Sequence, residues 1–118
     1  MDVVLIDDSR QYLLTTQQIL EKQGLKIGTI SDPSEAVQQL ISLQPKLIVL
    51  DVMMPGLDGF TLLKQIKEEP ALSSTSVVIL SGKVFATDQK KALALGADKY
   101  LTKPILARKL VKEIQAYL

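Results

Sequence analysis

The sequence predicts an α/β fold of the (βα)5 type, a doubly wound parallel sheet of five strands with helices on both faces. Three observations carry this. Short apolar runs alternate with helical patterns five times along 118 residues. The runs at 3–6, 47–50 and 77–80 are apolar without alternation, as strands buried on both faces are. Right-handed crossovers between parallel strands then place the helices on either side of one sheet. A chain of this length suits one domain, and 47% apolar residues suffice for a core without staples.

Each element has its own reason. "VVLI", Val3 to Ile6, is mostly β-branched and ends at Asp7. In "SRQYLLTTQQILEKQG", residues Tyr12, Leu13, Thr16, Ile19 and Leu20 keep a helical period, and Gly24 is the stop. "LKIGTI" is a short second strand. "DPSEAVQQLISLQP" opens as an Asp-Pro helix start and closes before Pro45. "LIVL", Leu47 to Leu50, is the third strand. "DGFTLLKQIKEE" sets Phe60, Leu63 and Ile66 on one helical face, with Pro70 beyond. "SVVIL" is strand four, and "ATDQKKALALGA" is helix four, ended by Gly96. "KYL" is a short fifth strand. From Pro104, "PILARKLVKEIQAYL" gives a last helix with Leu106, Leu110, Ile114 and Tyr117 as its stripe. The strand order expected is 2-1-3-4-5, the flavodoxin-like arrangement. Its ligand site lies beyond the C-terminal strand ends, where strands one and three diverge.

Composition removes several function classes. Without cysteine there is no disulfide or thiolate metal site, and without histidine there is no imidazole base or ligand. Any metal must be held by oxygen. A net charge of +1 and 4% aromatic residues make no case for nucleic acid. No apolar run approaches a membrane span, and "DVVLIDD" at the start lacks a leader's basic region, so a cytoplasmic location is expected.

The strand ends hold the chemistry. Strand one ends in Asp7 and Asp8, strand three in Asp51, strand four in Ser81, and strand five runs into Lys103-Pro104. Converging carboxylates repel one another, and a hard divalent cation with oxygen ligands resolves the conflict. Mg²⁺ takes few direct carboxylates and commonly binds beside a phosphate oxygen. Lys103 adds a point charge and Ser81 a hydroxyl. Three aspartates, Mg²⁺, Ser and Lys read together as a phosphoryl-transfer site. With no histidine or cysteine, a carboxylate is the nucleophile, and Asp51 on the central strand is the candidate.

The segments "LIDDS" (5–9), "LDVMMPGLDG" (50–59), "LSG" (80–82) and "YLTKP" (100–104), in this order and spacing, resemble the receiver domain of two-component response regulators. The resemblance covers residues 1–118, in the single-domain, chemotaxis-regulator-like form. It implies that Asp51 accepts a phosphoryl group from a histidine kinase or histidine phosphotransfer protein. It implies Mg²⁺ bound directly by Asp8, mainly through water by Asp7, and also by Asp51 and the Met53 backbone carbonyl. Ser81 would bond a phosphoryl oxygen, Lys103 would pair with Asp51 or the phosphoryl group, and Tyr100 would be the switch aromatic. Pro104 would follow a cis peptide bond. The surface of helix four, strand five and helix five would then change, which is also where a homodimer would form; the downstream protein is unspecified. Such a domain is a switch, not an enzyme in the usual sense.

Two departures stand out. Gly82 replaces the alanine usual after the switch hydroxyl, which loosens that loop. The resemblance implies that Met53 and Lys83, each two residues beyond a site residue, line the path of the attacking water, and Met53 is expected to shield the acyl phosphate and slow its loss. Each residue alone has a plainer reading. Asp7-Asp8-Ser9 caps a helix; Asp58-Gly59 is a cap and turn; Ser81-Gly82 is a loop; Tyr100 is a half-buried aromatic. Their meeting at one sheet edge favours the chemical reading. A haloacid-dehalogenase-type phosphatase needs an acid where Met53 stands. A flavodoxin-like electron carrier needs a phosphate-cradling loop where "DDSRQ" stands. A degenerate receiver, acting as a phosphorylation-independent protein-binding module, is the remaining alternative; the complete Asp-Asp-Asp-Ser-Lys set argues against it.

Overall fold

The computed structural model describes residues 1–54 and 57–118, so Pro55 and Gly56 of the Asp51 segment lie outside the described residues. The strands are β1 (Val3–Ile6), β2 (Ile27–Ile30), β3 (Leu47–Leu50), β4 (Ser76–Ser81) and β5 (Lys99–Thr102). The helices are α1 (Arg10–Glu21), α2 (Ala36–Leu43), α3 (Gly59–Glu68), α4 (Ala86–Ala94) and α5 (Ala107–Gln115). Neighbouring strands of this five-stranded sheet are all parallel, in the order β2-β1-β3-β4-β5 that the sequence predicts.

Strand parity divides the core into two layers. Val3, Leu5, Leu47, Val49, Val78, Leu80 and Leu101 pack with Leu13 and Leu20 of α1 and Leu110 and Ile114 of α5. Val4, Ile6, Ile48, Leu50, Val77 and Ile79 pack with Leu40 of α2, Leu63 and Ile66 of α3 and Ala92 of α4. Both faces of the central strands are therefore buried. This is why their sequences show no polar alternation.

The elements end for local reasons. Ser9 caps α1, its hydroxyl accepting the Tyr12 N–H at 3.2 Å. Asp58 caps α3, accepting the Phe60 N–H at 3.0 Å. Gly96 follows α4 at φ +107°, a conformation that suits glycine. Three details differ from the sequence expectation. A 3₁₀ turn, Pro33–Glu35, precedes α2, because Asp32 caps the Ser34 N–H first. The last helix begins at Ala107 instead of Pro104, since Leu106 stays extended at ψ 139°. Two two-residue strands, Met53–Met54 and Leu57–Asp58, pair antiparallel after Asp51. Among the described residues no helix is long and apolar enough to cross a membrane.

Candidate phosphoryl-transfer site

Backbone pairing carries past the strands and sets the site. In register, Ile6 of β1 lies beside Leu50 of β3. The next step is the Asp51 N–H donating to the Ile6 carbonyl at 3.0 Å, which puts Asp51 against Asp7. The Asp7 N–H likewise reaches Ile30 at 3.2 Å. On the far side, the Lys103 N–H donates to the Ser81 carbonyl at 2.8 Å and anchors the residue after β5. By parity, Asp7, Asp51 and Lys103 continue the rows Val3-Leu5, Leu47-Val49 and Leu101, which face α1 and α5.

The side chains converge accordingly. Asp7, Asp8 and Asp51 each offer a carboxylate oxygen within 4.8 Å of the others. Asp7 and Asp51 are buried, at 5% and 7% exposure, while Asp8 is open to solvent. The Lys103 ammonium bridges the two buried acids, at 2.6 Å from Asp7 and 3.1 Å from Asp51. Burial pulls the Lys103 pKa down, but hydrogen bonds to Asp7 and Asp51 outweigh it and hold the pKa above the usual lysine range. Backbone donors complete the acids: the Met53 N–H reaches Asp51 Oδ1 at 2.8 Å, and the Ser9 N–H reaches Asp7 Oδ1 at 3.0 Å. Three acids against one ammonium leave net negative charge at an open rim. All-oxygen donors of that charge fit a hard divalent cation such as Mg²⁺.

Ser81 and Tyr100 form a second group. Ser81 is fully buried, and its Oγ accepts the Lys83 N–H at 3.3 Å. The Tyr100 hydroxyl donates to the Lys83 carbonyl at 2.9 Å. Burial raises the Tyr100 pKa, so the phenol is neutral at pH 7. Lys83 thus links hydroxyl and aromatic through its own backbone. Its ammonium lies 5.5 Å from the Phe60 ring, with Lys91 of α4 closer, at 4.5 Å. The Lys103–Pro104 peptide bond is cis. Met53 is 49% exposed, beside the acidic cluster.

Two features are not legible from residue pattern. Lys103 contacts Asp7 more closely than Asp51. The Tyr12 ring also stands under the same ammonium, at 4.0 Å. Tyr12 reads in sequence only as an apolar position of α1. No residue pattern flags it, because its contact with Lys103 depends on side-chain rotamers. A void of about 10 Å³ beneath the site, bordered by Asp7, Asp51, Tyr12 and Thr16, has room for about one water.

The response regulator receiver domain profile matches residues 3–115. Protein PilG of Pseudomonas aeruginosa is 36% identical over 118 residues, covering 100% of this chain and 87% of PilG. The alkaline phosphatase synthesis transcriptional regulatory protein PhoP of Bacillus subtilis is 34% identical over 98% of this chain but only 48% of its own length. The solved structure of Vibrio cholerae chemotaxis protein CheY4 superposes with a TM-score of 0.91 at 26% identity, over 99% of this chain and 98% of that one.

Proposed function

The chain belongs to the response regulator receiver domain family, and from that premise we propose that it is a phospho-accepting switch with Asp51 as acceptor. The observation that supports this most is the meeting of three carboxylates with one ammonium at the β1–β3 edge. Asp51 attacks phosphorus through one carboxylate oxygen. The bond from phosphorus to the donor's histidine nitrogen breaks, and an acyl phosphate forms. The donor is a histidine kinase or histidine phosphotransfer protein. Asp7, Asp8, Asp51 and the Met53 carbonyl are the residues that would hold Mg²⁺. When bound, Mg²⁺ supplies charge neutralisation at the phosphoryl oxygens.

The chain's own groups do the rest. Lys103, already on Asp51 at 3.1 Å, pairs with phosphoryl oxygen as the carboxylate charge is used. Ser81 turns its hydroxyl from the Lys83 N–H to a phosphoryl oxygen. That frees the Lys83 segment, and with it the Tyr100 hydroxyl that the Lys83 carbonyl holds. The change reaches α4, β5 and α5 as a population shift between two arrangements. That face is the surface offered to a downstream protein or to a second copy. The setting is cytoplasmic two-component signalling, and turnover is confined to the domain's own phosphoryl group.

Intact mass spectrometry after incubation with acetyl phosphate, with and without Mg²⁺, tests this. A Mg²⁺-dependent gain of one phosphoryl group, absent in Asp51→Asn, is expected. No gain together with no Mg²⁺ binding would turn the reading to a phosphorylation-independent binding module.

A further inference from the structure

Among the described residues, the Lys103 ammonium meets two acids and one aromatic ring. Asp7 and Asp51 bind it from the sheet edge, at 2.6 and 3.1 Å. The third is the face of Tyr12, 4.0 Å from the ring centre. An ammonium over an aromatic face is attracted by the ring's negative quadrupole, more strongly where water is thinned out. Here both partners are half-buried, so the ring acts as more than a solvent-side neighbour.

We propose that Tyr12 is the positioning residue for Lys103, its ring face holding the ammonium over the gap between Asp7 and Asp51 where the incoming phosphoryl group arrives. A lysine side chain has four freely turning bonds, and two acids on one side leave it free to swing toward solvent. The ring closes that side. It is supplied by the first turn of α1, which Ser9 caps and which therefore has a fixed relation to Asp7 and Asp8. The plainer role for Tyr12 is to pack on the α1–α5 core layer, which it also borders. A leucine would fill that role equally but offers no ring face. The kinetic part of the inference rests on the phospho-acceptor reading; the placement of Lys103 does not.

The test separates the two roles. In metal-free wild type, NMR should show the Lys103 Cε protons shifted upfield by the ring current of Tyr12. Tyr12→Phe should keep a ring-current shift and Tyr12→Leu should lose it. With acetyl phosphate at saturating Mg²⁺, Tyr12→Leu should lower kcat by roughly 2- to 30-fold, the range a cation–π contact supports. The donor KM should be unchanged, and Tyr12→Phe should be rescued to near wild type. Equal shifts and rates in wild type and Tyr12→Leu would overturn the inference, as would a Tyr12→Phe variant as slow as Tyr12→Leu. If Tyr12→Leu does not fold, pentafluorophenylalanine at position 12 keeps the shape and reverses the face potential. It should slow the reaction, and a wild-type rate with it overturns the inference. A wild-type chain that accepts no phosphoryl group defeats the acceptor reading, while the ring-current shift still decides the placement of Lys103.

Discussion

A Cβ added at Gly59 would lie 2.4 Å from the Val52 Cα and 2.7 Å from its carbonyl oxygen, both backbone atoms. At the start of α3, alanine would ordinarily be favoured over glycine by about 1 kcal/mol. The backbone of the Asp51 loop runs too close for that gain. Gly59→Ala is therefore expected to destabilise the chain by about 2 kcal/mol or more, read as a lowered urea midpoint. Gly82 gives the opposite sign. Its added Cβ would meet only the Met53 sulfur, at 3.7 Å, an ordinary contact. Gly82→Ala should stabilise by about 0.4–1 kcal/mol through the unfolded chain. The exposed Met53 side chain, two residues beyond Asp51, is expected to hinder water on its way to the acyl phosphate. Met53→Asn is expected to shorten the acyl phosphate lifetime several-fold, measured as phosphoryl loss after donor removal. An unchanged lifetime would remove Met53 from the control of hydrolysis.

Helices differ in how firmly they are tied down. Helix α4 has Phe85 at its N-cap, 72% exposed and making no cap hydrogen bond, and Ala92 is its buried residue. Asp88 already favours its first turn electrostatically. Phe85→Ser supplies the missing acceptor and should add about 1 kcal/mol, with α4 amides exchanging more slowly with solvent. Helix α5 is held to β5 by Lys99 and Glu113 at 2.6 Å. The hydrogen bond from Lys99 holds the Glu113 carboxyl below the usual carboxylate range. A lowered acid pKa stabilises above the unfolded value, and the contribution fades as pH falls through the folded one. The stability gap between wild type and Glu113→Gln should accordingly close below roughly pH 4. Strands buried on both faces were legible from "VVLI", "LIVL" and "SVVIL" because burial leaves an unbroken apolar run. The pairing of Met53–Met54 with Leu57–Asp58 was not, since two-residue strands have no period to read. Leu106 fits the last helix's stripe in sequence, yet it is 65% exposed at the N-cap, because periodicity does not mark where a helix starts.

At the scale of the molecule, the sheet is a rigid divider between two packed layers, and the site is the rim where its strands stop. The acids were legible in the sequence because the topology fixes which strand ends are neighbours. The Lys103–Asp7 contact spans 96 residues and depends on a rotamer, and Tyr12 depends on the same choice, so neither could be read from pattern. This arrangement sets function against stability. Asp7, Asp8 and Asp51 crowd within 4.8 Å, and Lys103 binds Asp7 and Asp51 but leaves Asp8 as surplus charge. Two like charges at such a separation repel by on the order of 1 kcal/mol in water. In EDTA, Asp8→Asn should therefore unfold at a higher temperature than wild type. Mg²⁺ should reverse the ranking. A ligand that binds only the folded chain stabilises it by RT ln(1 + [L]/Kd), about 2.7 kcal/mol at one hundred times Kd. The wild-type midpoint should climb with Mg²⁺, while Asp8→Asn, short of a carboxylate, should climb far less. Differential scanning calorimetry of both proteins across a Mg²⁺ series would show two curves that cross. Curves that stay parallel would mean that Asp8 neither burdens the metal-free fold nor contributes to a cation site.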